Sequence, residues 1–179
     1  MANRVNNIFP ECYVDTNILK TLLHLDGVNH QHGCSKVMLG MKKGKFAEGF
    51  AIGVIDDDKR KTYDYREFQM LAKSEHLTLM KHKEKHHYLI FVCKAAEDFL
   101  LSCANELQLD LSEYDLPSTL EELKEVTKNT ESDKDARIKR LINALRDSSE
   151  MSRLDRTVNY LQDKQFAVDI KELTAIFIQ

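Results

Sequence analysis

The chain has 179 residues, of which 42% are hydrophobic and 31% charged, the composition of a globular protein long enough to bury a core without staples. No run of about 18 apolar residues occurs and the opening MANRVNNIFPECYV has no apolar leader segment, so neither a membrane span nor a secretory signal is expected. The net charge of −3 hides an asymmetry: residues 1–94 carry 15 Lys/Arg against 11 Asp/Glu and all seven histidines, whereas residues 95–179 carry 11 against 18.

In chain order, VNNIFP reads as a strand closed by Pro10, which suits a strand end. TNILKTLLHL follows with Ile18, Leu19, Leu22 and Leu23 at helical spacing, and Asp15 or Thr16 is placed to cap that helix. GVNH reads as a short strand, and GCSKVMLGMKK resumes helical periodicity through Val37, Met38 and Met41. GFAIGVID is a near-continuous apolar run, the pattern of a strand buried on both faces. YREFQMLAKS reads as a helix, LTLM and YLIFVC as strands, and KAAEDFLLSCANELQ as an amphipathic helix.

Alternating strands and helices predict an α/β fold, a mostly parallel sheet flanked by helices, over residues 1–107. From residue 108 the signals are helical. LPSTLEELKEVTK opens with Ser118 three residues before Glu121, and DIKELTAIFI with Asp169 three before Glu172, both capping-box spacings. DKDARIKRLINALRDS and MSRLDRTVNYLQDK supply two more amphipathic helices, so residues 108–179 are expected to form an α-helical C-terminal extension, with KNTESDKD as a flexible linker. That extension is also a place for a protein partner to bind.

Ligands of parallel α/β sheets bind beyond the C-terminal strand ends. Glu11 follows the first strand, and Asp56, Asp57 and Asp58 follow the most apolar one. Carboxylates delivered there suit Mg²⁺ or Mn²⁺ and phosphodiester chemistry. The plain alternative is that these acids cap a helix or solubilise a loop.

The succession FPECYVDTNILKTLL, GVNHQHGCSKVMLGM and GFAIGVIDDDKRK resembles the motif order of Toprim domains, shared by topoisomerases, primases and OLD-family nucleases. The resemblance covers about residues 5–105. It implies Glu11 as acid/base or metal ligand, Asp56 and Asp58 as the Asp-x-Asp pair holding Mg²⁺ or Mn²⁺, and Glu97 of AAEDFLL as a supporting acid. A divalent-metal nuclease acting on nucleic acid is the function it implies, with defence against phage by analogy. Many Toprim openings have Gly where this chain has Cys12, which leaves a non-catalytic binding protein on a degenerate Toprim scaffold as an alternative. A second resemblance competes for the same letters: YVDTNIL is similar to the first motif of PIN-type ribonucleases and would make Asp15 the ligand. The Asp triplet fits Toprim spacing better.

Other features carry less. His30, His32, His82, His86 and His87 allow a zinc site but lack cysteines at ligand spacing. MKKGK, DKRK and the histidine-rich KHKEKHH form basic stretches able to touch a nucleic-acid backbone, and Lys59 or Arg60 could stabilise phosphate charge. No Walker-type or Gly-x-Gly-x-x-Gly loop is present. Cys12, Cys34, Cys93 and Cys103 form no CxxC pair, and reduced thiols of a cytoplasmic protein are the expectation.

Overall fold

A computed structural model describes residues 4–57 and 65–179. β1 (Ile8–Pro10) leads directly into α1 (Tyr13–Leu22), and an extended stretch then leads to α2 (Cys34–Met41). β2 (Ala51–Asp57), β3 (Phe68–Lys73), β4 (Leu77–His82) and β5 (His87–Cys93) follow, then α3 (Ala96–Leu107). The C-terminal part is α4 (Leu120–Thr127), α5 (Ala136–Ala144), α6 (Ser149–Lys164) and α7 (Ile170–Ile178), with short 3-10 turns between them.

The five strands form one sheet in the order β1-β2-β5-β4-β3. β1, β2 and β5 are parallel, with Pro10 opposite Val54 and Asp56 opposite Val92. β5, β4 and β3 run antiparallel, so the sheet is mixed where a mostly parallel one was expected. The difference arises at YREFQMLAKS, which reads as a helix and is found to hold β3. Its register shifts between Met70 and Ala72, and that bulge breaks the strict alternation by which a strand is recognised. GVNH does not form a strand. It runs beside β1 through Asn29 N–H to Ile8 O (3.0 Å) and Gln31 N–H to Pro10 O (2.9 Å), with one isolated bridge from Arg4 to Gly27.

The two faces of the sheet are packed differently. On one, Phe9, Ala51, Ile55, Leu89 and Phe91 meet Val37, Met38 and Met41 of α2. Gly53 permits this close approach: a Cβ there would sit 2.7 Å from Leu89 and 2.8 Å from Met41. The other face carries the larger core, where Ile52, Val54, Tyr88 and Ile90 pack with Leu19, Phe99, Leu141, Leu154, Leu173 and Phe177, drawn from both parts of the chain.

Polar contacts join the two parts as well. Asn17 Nδ2 donates to Ser132 O (2.9 Å) and Asp135 O (3.1 Å), which holds residues 128–135 against α1 in place of the flexible linker expected there. The guanidinium of Arg146 donates to Thr21 O (2.7 Å) at the end of α1 and pairs with Asp155 (2.8 Å). Glu150, buried, accepts from Ser74 Oγ (2.6 Å) and His76 N–H (3.0 Å) and pairs with Arg153 (3.0 Å). The α4 cap is Thr119 with Glu122, one residue beyond the predicted Ser118 pair, whereas Asp169 caps α7 as expected, accepting from Lys171 and Glu172 N–H. Among the described residues no helix is long and apolar enough to cross a membrane.

Candidate metal centre

The parallel strands deliver their C-terminal ends to one edge of the sheet. Glu11 leaves β1, Asp56 and Asp57 end β2, and Lys94 follows β5. Glu11 bridges the backbone there. Its Oε1 accepts from Cys34 N–H (3.0 Å) at the first turn of α2, and its Oε2 accepts from Asp56 N–H (2.9 Å). Both carboxylate oxygens therefore tie the start of α2 to the end of β2, with the negative charge at a helix N-terminus where the dipole favours it.

The group at ligating distance is a different one. Ligand atoms of Cys12, Asp15 and Asp56 lie within 4.8 Å of one another, so these three residues could hold a metal ion. Sequence reasoning used Asp56, placed Asp15 mainly as a helix cap, and treated Cys12 only as a departure from a family pattern. The cap of α1 is Cys12 itself: its Sγ accepts from Asp15 N–H (3.3 Å), and the thiol donates to Asp15 Oδ2 (3.1 Å). This is the first half of a capping box with sulfur in place of the usual hydroxyl; the Asp15 carboxylate accepts from the thiol and not from the Cys12 backbone N–H.

Asp15 is buried, and its Oδ1 has no hydrogen-bond partner. Burial is the main reason its pKa rises from 3.8 to about 7; the Cys12 thiol opposes the rise, and the charges of Glu11 and Glu97 add to it. Burial likewise pushes the Cys12 thiol well above its usual value, with Asp15 and Asp56 reinforcing the effect. These groups form a desolvated acidic centre whose charges a cation would offset.

Glu97 lies in the first turn of α3 and accepts from the Thr127 hydroxyl of α4. It reaches the centre through its charge on Asp15 and is not one of the three clustered ligands. Asp58, Lys59 and Arg60 fall outside the described residues. Beside the centre, Thr16 Oγ1 donates to Cys12 O (2.8 Å) and lies 2.8 Å from His30 Nδ1, whose ring stacks on Tyr13 at 4.3 Å. Burial lowers the His30 pKa, with His32 adding to it. Because the Thr16 proton is already committed, the hydrogen-bond network assigns the imidazole proton to Nδ1.

A cavity of about 510 Å³ opens next to Asp56, lined by Asp57, Lys94, Ala95, Asp98, Leu120 and Lys124. Lys94 holds a left-handed backbone (φ 64°) and is exposed, and Lys124 lies 3.8 Å from Asp98. The histidines do other work: His82 Nδ1 accepts from Glu84 and Lys85 N–H (both 3.1 Å), and His87 Nε2 lies 2.7 Å from Phe46 O. No histidine belongs to the metal-ligating cluster found among the described residues.

No family model, curated protein or solved structure matches this chain.

Proposed function

We propose that the chain is a divalent-metal-dependent enzyme that cleaves or transfers phosphodiesters in nucleic acid, on a Toprim-like scaffold. The observation that carries the reading is the Asp15 carboxylate, buried with an unpartnered oxygen beside Asp56 and Cys12 at the C-terminal edge of the parallel strands. Further support comes from element order: a strand followed directly by Glu11, α1, an extended stretch, Gly33 before α2, and an apolar strand carrying Asp56.

The donor set fits a metal. Asp15 and Asp56 supply hard oxygens of the kind Mg²⁺ and Mn²⁺ take, and Cys12 adds a softer sulfur that favours Mn²⁺ over Mg²⁺. Bound there, the ion would supply Lewis-acid polarisation of a phosphate and a more acidic water. The chain's own residues do the rest. Glu11 holds the Asp56 backbone and the start of α2 in fixed relation. Lys94 and Lys124 bring positive charge to the adjacent cavity, where a phosphate would approach.

The second reading, a PIN-like ribonuclease using Asp15, draws on the same buried carboxylate, although Asp15 lies within the first turn of α1 and not at a strand end. The test is calorimetric titration of Mn²⁺ and Mg²⁺ into the wild type and Asp56→Asn, followed by incubation with labelled single- and double-stranded DNA and RNA. Binding lost in the variant together with metal-dependent cleavage is the expected result. Metal binding without cleavage of any substrate would leave the non-catalytic alternative standing, and absence of binding would remove the metal centre.

A further inference from the structure

Gly40 fixes which face of α2 looks toward β1. A Cβ at that position would stand 2.9 Å from the Phe9 ring and 3.6 Å from Gln31, so this face lies along β1 and the extended stretch beside it. At Gly40 the surface opens into a recess of about 300 Å³. Phe9 and Phe46 form its apolar lining, Asn29 and Gln31 add carboxamides, and Lys43 and Lys45 supply positive charge. Lys36 sits one turn before Gly40 on the same face, in the first turn of α2.

The fold leaves these lysines without counter-ions. Residues 27–55 hold four lysines and a single acid, Glu48. Glu48 pairs with Lys85 (2.9 Å), and the fourth lysine, Lys42, pairs with Glu67. Lys36, Lys43 and Lys45 are exposed, and among the described residues none of them is in an ion pair. Lys45 Nζ stands 5.2 Å from the centroid of the Phe46 ring that lines the recess. The other face of the sheet has the contrary charge, because it is covered by helices of residues 95–179, with 18 Asp/Glu against 11 Lys/Arg.

The recess is in line with the metal centre. Phe9, in its lining, is two residues before Glu11, about 7 Å along an extended chain. Glu11 in turn holds Cys34 N–H (3.0 Å), so α2 starts at the metal centre and ends at the recess. From Lys36 to Lys43 is about 10 Å at the helical rise per residue, or about three nucleotides at a rise of about 3.4 Å each. Cations spaced along such a line match a repeated negative charge better than a single anion.

We propose that the groove between α2 and β1 carries the phosphate backbone of a nucleic-acid strand toward the metal centre. Lys36, Lys43 and Lys45 contact phosphates and read no base, so binding here is independent of sequence. The proposal rests on the reading that the metal centre acts on phosphodiesters, and adds to it the track along which the substrate lies.

The test is fluorescence anisotropy of the full chain with two short labelled oligonucleotides of unrelated sequence, in EDTA, over a series of salt concentrations. Inorganic phosphate and phosphatidylserine vesicles serve as competitors. The variants are Lys43→Gln/Lys45→Gln and, as a control, Lys171→Gln on the exposed side of α7, each checked for an unchanged melting temperature. Expected is binding of both sequences alike, weakened about tenfold in the double variant, with a salt slope shallower by about 0.7 for each lysine removed. Lys171→Gln should change neither quantity. Unchanged affinity and slope in the double variant, an equal loss in Lys171→Gln, binding of only one sequence, or competition by phosphate or vesicles as strong as by unlabelled oligonucleotide would overturn the proposal. Cleavage with Mn²⁺ is measured separately. Binding that depends on the lysines without any cleavage supports the track and removes the enzyme, whereas cleavage with the lysines silent keeps the enzyme and overturns the track.

Discussion

Cys12 and Asp15 serve each other twice across the first turn of α1: the sulfur caps the Asp15 amide at 3.3 Å and shares its proton with the Asp15 carboxylate at 3.1 Å. The same two side chains are thus a structural cap and two of the three residues that could hold a metal ion. Replacing Cys12 separates the roles. Cys12→Ser keeps a capping oxygen and should fold normally, while its hard donor narrows the preference for Mn²⁺ over Mg²⁺. Cys12→Ala should lose about 1 kcal/mol of stability with the cap. Equal Mn²⁺/Mg²⁺ affinity ratios in wild type and Cys12→Ser, measured by calorimetry, would show that sulfur takes no part in binding.

Asp15 sets a pH dependence of unusual sign for a carboxylate. Its pKa is about 7 in the folded chain against 3.8 ordinarily, so the native state holds a proton that the unfolded state has released. The stability this contributes is complete below pH 3.8 and is lost as pH rises through about 7. Half-buried His30 and buried His82 and His87, whose pKa values burial lowers, act in the opposite direction below their ordinary value of 6.5. Those residues are common to wild type and Asp15→Asn, so the comparison isolates Asp15. In EDTA the variant should gain in melting temperature relative to wild type as pH is raised from 5 to 8. A constant difference across that range would refute the assignment.

Glu11→Gln should behave differently from Asp15→Asn. Glutamine can offer one oxygen to either Cys34 N–H or Asp56 N–H, and its amide nitrogen then faces the other donor. A loss of about 1–3 kcal/mol in denaturant unfolding is expected. If Glu11→Gln instead stabilised the metal-free chain, mutual repulsion within the cluster would outweigh the bridge.

Arg146 tests how far the helical half supports the rest. It satisfies carbonyls at the end of α1 while paired with Asp155, and both side chains are largely shielded. Arg146→Ala should cost about 2 kcal/mol, and Asp155→Asn less, because a carboxamide still accepts from the guanidinium. Chemical denaturation of the two variants gives the comparison directly. Equal losses would show that the ion pair, and not the contact with α1, carries the effect.

What could be read in the letters follows from periodicity. The apolar run at residues 50–55 announced a buried strand, and KAAEDFLL a helix, because each keeps one period throughout. β3 escaped because one bulge at Met70–Ala72 shifts its alternation by a residue. The convergence of Glu11 and Asp56 on one edge was legible from strand ends, since parallel strands carry their C-terminal residues to the same side. The entry of Cys12 was not, and Asp15 was reached only through the competing PIN-type resemblance. Whether an acid in a first turn faces solvent or the sheet depends on how α1 is laid down, and that is fixed by residues 129–135 and Arg146, far along the chain.

The antiparallel run β3-β4-β5 joins neighbours through tight turns, whereas β1 must find β2 across the whole of α1 and α2, with Ile8 meeting Ile52. Loop closure of that kind is slow relative to hairpin formation. Folding should therefore proceed from the middle outward, with β1, the first of the five sheet strands in chain order, among the last to dock. Cys12 and Asp15 open the helix that directly follows that late strand, while Asp56 waits on β2, so the three side chains come together only when β1 docks. Metal capture followed during refolding would then lag behind amide protection in β4 and β5, making the centre a timer for the final step of assembly.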